Sequence, residues 1–409
     1  MTETPAMRWC KNCFEPTTRP GQVFDENGLC TPCHFAKIDV SKEEWNRRKE
    51  ELKEIVNWAK ARRSPSGYNS VIGVSGGKDS TRLALFAREI GLSPLLVSCT
   101  YQPQQMTELG AENLSNLVNL GFDVITINIA PETARRAIRA SFLSFSNWCR
   151  PSELALYSSI PRVALTQGIP LACAGENPFL AFGNSCGSID GDASDITSMH
   201  TLGDGDLTPY MKDGNRPEDM LLYRFPNKDK SAHEKLRMIY LGYYIEGYSL
   251  SNNAEFAINY GFKPRCDSEA DPLRTGSYHN HTAVDEDFVI VNQFLKYLKF
   301  GFGNVTQQVS SDIRDGRLRP ARKEDGRRQY ELLLELCVAH RRRRDNVVRR
   351  GRRGERGRVV VRGRRGGRRP VRGGARVRPG RDEQDGTVGH VRDTENPSDF
   401  LTKFVHKEK

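Results

Sequence analysis

The chain has 409 residues, with 62 Lys and Arg against 51 Asp and Glu, and 37% of it is hydrophobic. That length supports two or three domains around a sizeable core, and no apolar run approaches the ~20 residues that a membrane span needs. The net charge of +11 belongs to one segment: residues 341–381 hold 19 Arg against Asp345 and Glu355, a local +17 that leaves −6 on the other 368 residues. The body is therefore mildly acidic, and nucleic acid is not an expected partner of anything but that segment. Residues 1–8 lack the apolar stretch of a secretory signal, and four of the ten cysteines cluster early, so a reducing, cytoplasmic setting is expected rather than a disulfide scaffold.

The first unit, residues 1–38, is built on Cys10-x-x-Cys13, sixteen residues, then Cys30-x-x-Cys33. Each pair presents two thiolates from a tight turn, and four thiolates make a closed tetrahedral Zn²⁺ site. The intervening Phe24-Asp25-Glu26-Asn27-Gly28-Leu29 reads as a hairpin with an Asn-Gly turn. So short a unit buries little core, and a structural metal would supply folding energy on the order of 10 kcal/mol. His34 is surplus to a four-cysteine site. Residues 39–67 read as a helical linker, with Trp45 and Trp58 as its apolar anchors.

From residue 68 to about 228 the pattern alternates strand and helix. Strands are expected at 71–74, 94–99, 122–129 and 170–173, and helices at 80–90, 107–120, 131–142 and 152–167. Near-continuous apolar strands between helices indicate a parallel sheet covered on both faces, an α/β fold of the Rossmann-like kind, with ligands at the carboxyl ends of the strands. Three segments should converge there: the loop after Val74, the turn after Cys99, and Gly175-Glu176-Asn177. The first is Ser75-Gly76-Gly77-Lys78-Asp79-Ser80. Glycines let the backbone approach a phosphate, the helix start favours negative charge, and Lys78 with the Ser75 and Ser80 hydroxyls adds donors. A Walker A loop needs one residue more between its first Gly and the Gly-Lys pair, and no acid after the Lys.

Residues 185–226 are rich in Gly, Asp and Ser, and read either as a mobile loop over the site or as a spacer. Residues 229–340 read as a helical cap, with one long helical stretch from Phe288 to Phe300. The Arg/Gly/Val run that opens the last unit, 341–409, admits two readings: a disordered basic arm, or GC-rich DNA translated out of frame in an erroneous gene model. Residues 396–403 resemble the end of a copia-type retrotransposon polyprotein.

The glycine loop resembles the PP-loop of the ATP pyrophosphatases, which split ATP between the α and β phosphates. The larger set of motifs resembles the N-acetyl sugar amidotransferase family over about residues 9–320. It comprises the four-cysteine ribbon, the PP-loop, Leu109-Gly110-Ala111-Glu112-Asn113-Leu114, Ile169-Pro170-Leu171 leading into Gly175-Glu176-Asn177-Pro178, Leu298-Lys299-Phe300-Gly301-Phe302-Gly303 and Asp312-Ile313-Arg314-Asp315-Gly316. The chain departs from the family around Asn147-Trp148-Cys149-Arg150-Pro151, and the resemblance ends after about Pro320.

The resemblance implies a PP-loop domain with a zinc ribbon and a helical cap. The implied reaction turns an acetamido group on a nucleotide-linked sugar into an acetamidino group with ATP, Mg²⁺ and ammonia, in the synthesis of surface polysaccharide, lipopolysaccharide or nonulosonic-acid sugars. ATP would be held by Ser75, Gly76, Gly77, Lys78, Asp79 and Ser80, with Cys99 and Gly175 at its edge. Lys78, Asp79 and Glu176 would be catalytic, Glu176 orienting the substrate or taking a proton from ammonia. A helix-terminal Lys299 could meet an anion or only complement the helix dipole. Gly183-Asn184-Ser185-Cys186-Gly187 has the wrong spacing for a glutaminase nucleophile and residue 2 is Thr, so a separate glutaminase partner is expected. Two other readings stay open: a tRNA-thiolating PP-loop enzyme using Cys149, Cys173 or Cys186, and a non-catalytic protein with a zinc ribbon and a nucleotide-binding domain.

Overall fold

The computed structural model describes residues 7–37, 40–100, 106–183, 189–226, 235–266 and 270–318. Cys186, part of the glycine-rich loop and the whole Arg-rich segment lie outside the described residues.

Five strands form one parallel sheet: β1 Ser70–Gly73, β2 Pro94–Cys99, β3 Val124–Ile127, β4 Leu171–Ala174 and β5 Arg237–Tyr240, in the order β3-β2-β1-β4-β5. Register follows the apolar runs: Ile72 of β1 stands between Leu96 of β2 and Cys173 of β4. Successive side chains point to opposite faces. Val71, Leu95, Val97 and Ala172 face one way, against Ile160, Val163 and Ala164 of α6 (Arg150–Thr166). Ile72, Leu96, Leu171 and Cys173 face the larger core, with Leu83, Ala84 and Ala87 of α3 (Lys78–Glu89) and Leu117 of α4 (Glu108–Asn119). Burying both faces is what makes these strands read as unbroken apolar runs. α5, Pro131–Phe145, completes the expected helices.

β5 lies beyond the boundary expected for the sheet domain, in a stretch read as helical. It has four residues and pairs in parallel with β4, Ala172 opposite Met238 and Cys173 opposite Ile239, while Asp192 bridges Ile239 from the other side. Its pairing partner lies 66 positions away in sequence, at Ala172 against Met238, with no strand-helix alternation leading into it.

The ribbon ends in α1, Thr31–Lys37, and α2 (Lys42–Ala61) follows, capped by the Ser41 hydroxyl, which accepts from the Glu44 N–H at 3.2 Å. Its buried face is Leu52, Ile55, Val56 and Ala59; Trp58 packs against the same core, and Trp45 is not part of it. Trp45 and Trp58 are only partly buried and lie under the guanidinium groups of Arg48 and Arg62, each 4.9 Å from the ring.

Residues 189–226 are not a loose lid. Short 3₁₀ turns there bury Ala193, Ile196, Leu202, Tyr210, Met220 and Tyr223 in the main core. The Ser158 hydroxyl of α6 donates to the Leu222 carbonyl at 2.8 Å. None of the described residues in this stretch lines the cavity over the loop at β1. Helices at Leu250–Asn259, Phe288–Phe300 and Asn304–Arg314 complete the chain up to residue 318.

Candidate nucleotide site and metal centre

The order β3-β2-β1 runs one way from β1, and β4-β5 runs the other. The point where chain direction reverses lies between β1 and β4, and in open parallel sheets that crevice is where ligands sit. Both expected loops emerge there. After β1, Gly76 adopts φ +81°, and a Cβ on it would stand 2.6 Å from the Leu114 backbone N of α4. Only glycine passes so close in that conformation. Gly77 then caps α3, its carbonyl accepting from the Thr81 N–H and from the Ser80 and Thr81 hydroxyls, each at 3.0 Å. The Gly77 N–H reaches Ser75 Oγ at 3.3 Å. The N–H groups of Lys78, Asp79 and Ser80 open the helix and have no acceptor among the described residues.

Lys78 is buried, with Nζ 2.8 Å from Asp79 Oδ2, and the other Asp79 oxygen accepts from Asn253 Nδ2 at 2.8 Å. Asp79 is thus held on both sides, and it fixes where the Lys78 ammonium points. After β4, Gly175 accepts from the Gly242 N–H at 3.1 Å, and Glu176 follows half-buried. Burial raises the Glu176 carboxyl above the usual carboxylate range, and the negative charge of Asp79 adds to the effect. Asn177 caps the helix Pro178–Phe182, accepting from the Phe179 N–H at 3.0 Å, so it is a structural member of its motif.

One cavity of about 430 Å³ joins these parts: Ser75, Gly77, Lys78, Asp79, Ser80, Gly175 and Glu176 all line it. Gly76 supports the loop from behind and is not on the lining. Cys99 stands apart. It lines a recess of about 10 Å³ with Ser75, Asp285 and Glu286, and burial pushes its thiol up to about 12. Lys299 is exposed, donates to the Phe145 carbonyl and is absent from the cavity wall. Cys149 is buried off the cavity, its thiol pushed up by burial.

The facing wall was not legible in the sequence. Arg265, Thr275, Ser277 and residues 281–286 form it. Arg265 is spent on structure, donating to the Ala283 carbonyl at 2.5 Å and to Asp287 at 3.3 Å. Burial raises Asp285 to about 6 and Glu286 to about 8. His281 stacks on His279 at 4.5 Å between centroids, and His279 Nε2 lies 2.9 Å from Asp312 Oδ2. Burial and the positive charge of Lys78 lower His281 to about 3, which keeps it neutral. The available signal was the break in apolar periodicity at His279-x-His281 and Asp285-Glu286-Asp287.

Beside the same helix, Asn304–Arg314, the four cysteine sulfurs lie within 4.8 Å of one another and are buried. Asp25 accepts from the Leu29 N–H and Gly28 takes φ +76°, which closes the expected Asn-Gly hairpin. Asn12 Nδ2 lies 3.3 Å from Cys33 Sγ, and Arg314 lies 3.6 Å from Cys13 Sγ. Four thiols this close, with cationic and amide donors beside them, fit a tetrahedral zinc ion. His34 is exposed and pairs with Asp25 at 3.3 Å, outside the set.

No protein-family model matches the chain, and no curated protein matches it. Among solved structures it is similar to a predicted subunit of a tRNA methyltransferase from Methanocaldococcus jannaschii, at 17% identity over 34% of this chain and 73% of that one, with a TM-score of 0.23. It is also similar to an NH3-dependent NAD synthetase from Campylobacter jejuni in complex with the nitrate ion, at 15% identity over 55% of this chain and 99% of that one, with a TM-score of 0.25. Neither likeness assigns the chain to a family.

Proposed function

We propose that the chain is an ATP-dependent N-acetyl sugar amidotransferase that cleaves ATP between its α and β phosphates. The observation that carries this reading is the shared cavity: a PP-loop with unpartnered helix-start N–H groups and Lys78 stands across from Glu176 at the sheet's reversal point. The sugar rests on the resemblance of the ribbon, loop and Gly-Glu-Asn motifs to that family.

The donors fit a polyphosphate. Lys78 and the N–H groups of Lys78, Asp79 and Ser80 offer positive charge where the leaving pyrophosphate develops negative charge. Mg²⁺ entering with the nucleotide would meet Asp79 and would neutralise phosphate charge. An amide carbon does not release its oxygen unaided. Its oxygen bonds to the α-phosphorus, the α–β bond breaks, and pyrophosphate departs. Ammonia then attacks the activated carbon, Glu176 takes the proton that the new C–N bond makes acidic, the C–O bond breaks, and AMP leaves. The raised carboxyl of Glu176 suits it to hold a proton nearer neutral pH. The ammonia is proposed to come from a separate glutaminase.

The thiolation alternative needs an accessible thiolate. Cys149 and Cys173, two of its three candidates, are buried and burial raises both thiols, which weighs against it. The test supplies ATP, Mg²⁺, an ammonium salt and nucleotide-linked diacetamido sugars, and follows pyrophosphate and sugar mass. Pyrophosphate release with oxygen replaced by NH in the sugar is expected, and Asp79→Ala or Ser80→Ala should abolish both. Unchanged sugar across the panel, with sulfur entering tRNA instead, would sink the reading.

A further inference from the structure

The wall that faces the PP-loop is built as carefully as the loop, and the reaction scheme above leaves it unused. Three side chains on the cavity lining carry a buried polar atom with no partner among the described residues: His281 Nε2, Thr282 Oγ1 and Gln293 Oε1. A buried polar group without a hydrogen bond costs free energy, so three on one wall point to a polar ligand between that wall and the loop.

His281 is the best fixed of the three. Its ring lies on His279 with planes 26° apart. His279 is held by Asp312 at 2.9 Å, and Asp312 accepts in turn from the Ser251 hydroxyl at 2.8 Å. The Gln308 side-chain oxygen accepts from the His279 N–H at 3.0 Å, fixing the backbone of the same turn. The imidazole is therefore pre-positioned by the helix Asn304–Arg314 and by the helix Leu250–Asn259. It is close enough to Lys78 and Asp79 to feel both charges. A neutral imidazole there avoids repelling Lys78 while the cavity is empty, and it still offers a hydrogen bond to an anion that sits against the lysine.

We propose that His281 is a second-wall contact to the polyphosphate, hydrogen bonding through Nε2 to the pyrophosphate moiety that Lys78 holds from the loop, with His279 and Asp312 as positioning residues. This rests on the ATP-cleaving reading of the site. The moiety is then clamped between a fixed cation and a fixed neutral donor on opposite walls, which excludes water from the bond that breaks.

The experiment titrates inorganic pyrophosphate into the full-length wild-type chain and into His281→Ala and His281→Gln, following heat, with a melting curve for each. One lost hydrogen bond to a charged oxygen should weaken binding by about tenfold or more in His281→Ala. His281→Gln, whose amide reaches the position of Nε2, should recover most of that loss while melting with the wild type. Equal affinity in the wild type and His281→Ala overturns the inference and leaves the ATP reading standing. A wild-type chain that binds no pyrophosphate overturns the ATP reading itself. A His281→Gln chain that melts normally yet binds as weakly as His281→Ala also counts against a hydrogen bond from Nε2.

Discussion

Glu286 is only 3% exposed, and its side chain caps the helix Phe288–Phe300 through the Val289 N–H at 2.6 Å. Burial raises its carboxyl to about 8, and the charges of Asp285 and Asp287 push the same way. A carboxyl raised on folding is protonated in the folded chain while the unfolded chain has already lost its proton. The stability it contributes is therefore complete below about 4.5 and is lost as pH rises through about 8. Asp285, raised to about 6, acts in the same sense over a lower window. His281 and Lys296, lowered to about 3 and about 7, act in the opposite sense over other ranges, so the wild-type slope alone does not isolate Glu286. Glu286→Gln does, because its amide oxygen can still accept from Val289. The difference in unfolding free energy, wild type minus Glu286→Gln, should fall by on the order of 3 kcal/mol between pH 4.5 and 8. Denaturant titrations of both chains across that range give the difference directly, and a flat difference would remove Glu286 from the list of protonated cavity acids.

Among the elements, the helix Asn304–Arg314 joins the two ends of the molecule's chemistry. Ser310 Oγ donates to the Cys13 carbonyl at 2.8 Å, Ile313 packs in the ribbon's core, and Arg314 lies against Cys13 Sγ, while Asp312 faces His279 and the cavity. The ribbon has too little core to hold its face to that helix without metal. Cys13→Ser should therefore lose its zinc and lower the melting temperature by several degrees or more, with proteolysis starting inside residues 9–33. Zinc analysis of the purified variant decides this: one zinc retained per chain would remove Cys13 from the ligand set. The spacing of the four cysteines and the strand-glycine-helix order at residues 70–89 were legible because each is a local pattern. Four strands and the helices between them were legible for the same reason. β5, the packed turns of residues 189–226 and the wall at residues 281–286 were not. Each owes its conformation to partners far along the chain: β4 for β5, α5 and α6 for the turns, and Asp312 with Gln308 for the histidine turn. Of the tryptophans of α2, Trp58 packs against the main core, while the smaller Leu52, Ile55, Val56 and Ala59 share one face and take the full burial.

Over the whole molecule, charge is divided more sharply than the total of +11 suggests. Residues 341–381 carry +17, and the remainder carries −6. A body of net charge −6 has no net electrostatic attraction for a nucleic acid, whereas a segment with 19 Arg neutralises phosphates and releases their counterions. The segment holds no Phe, Tyr or Trp, so base stacking adds nothing, and binding through it should be nonspecific and steeply salt-dependent. The described lining of the cavity, by contrast, comes from positions 73–304. Deleting residues 341–381 should therefore separate two behaviours that share one chain. The full chain should be retained by duplex DNA at low salt and lose about tenfold or more in affinity between 50 and 200 mM salt. The deleted chain should show no measurable retention, while its affinity for pyrophosphate and its zinc content stay at the full-length values. A deleted chain that binds DNA as tightly as the full chain would mean that the acidic body carries a basic surface of its own. A deleted chain that loses pyrophosphate binding would mean that the cavity depends on residues far outside its lining.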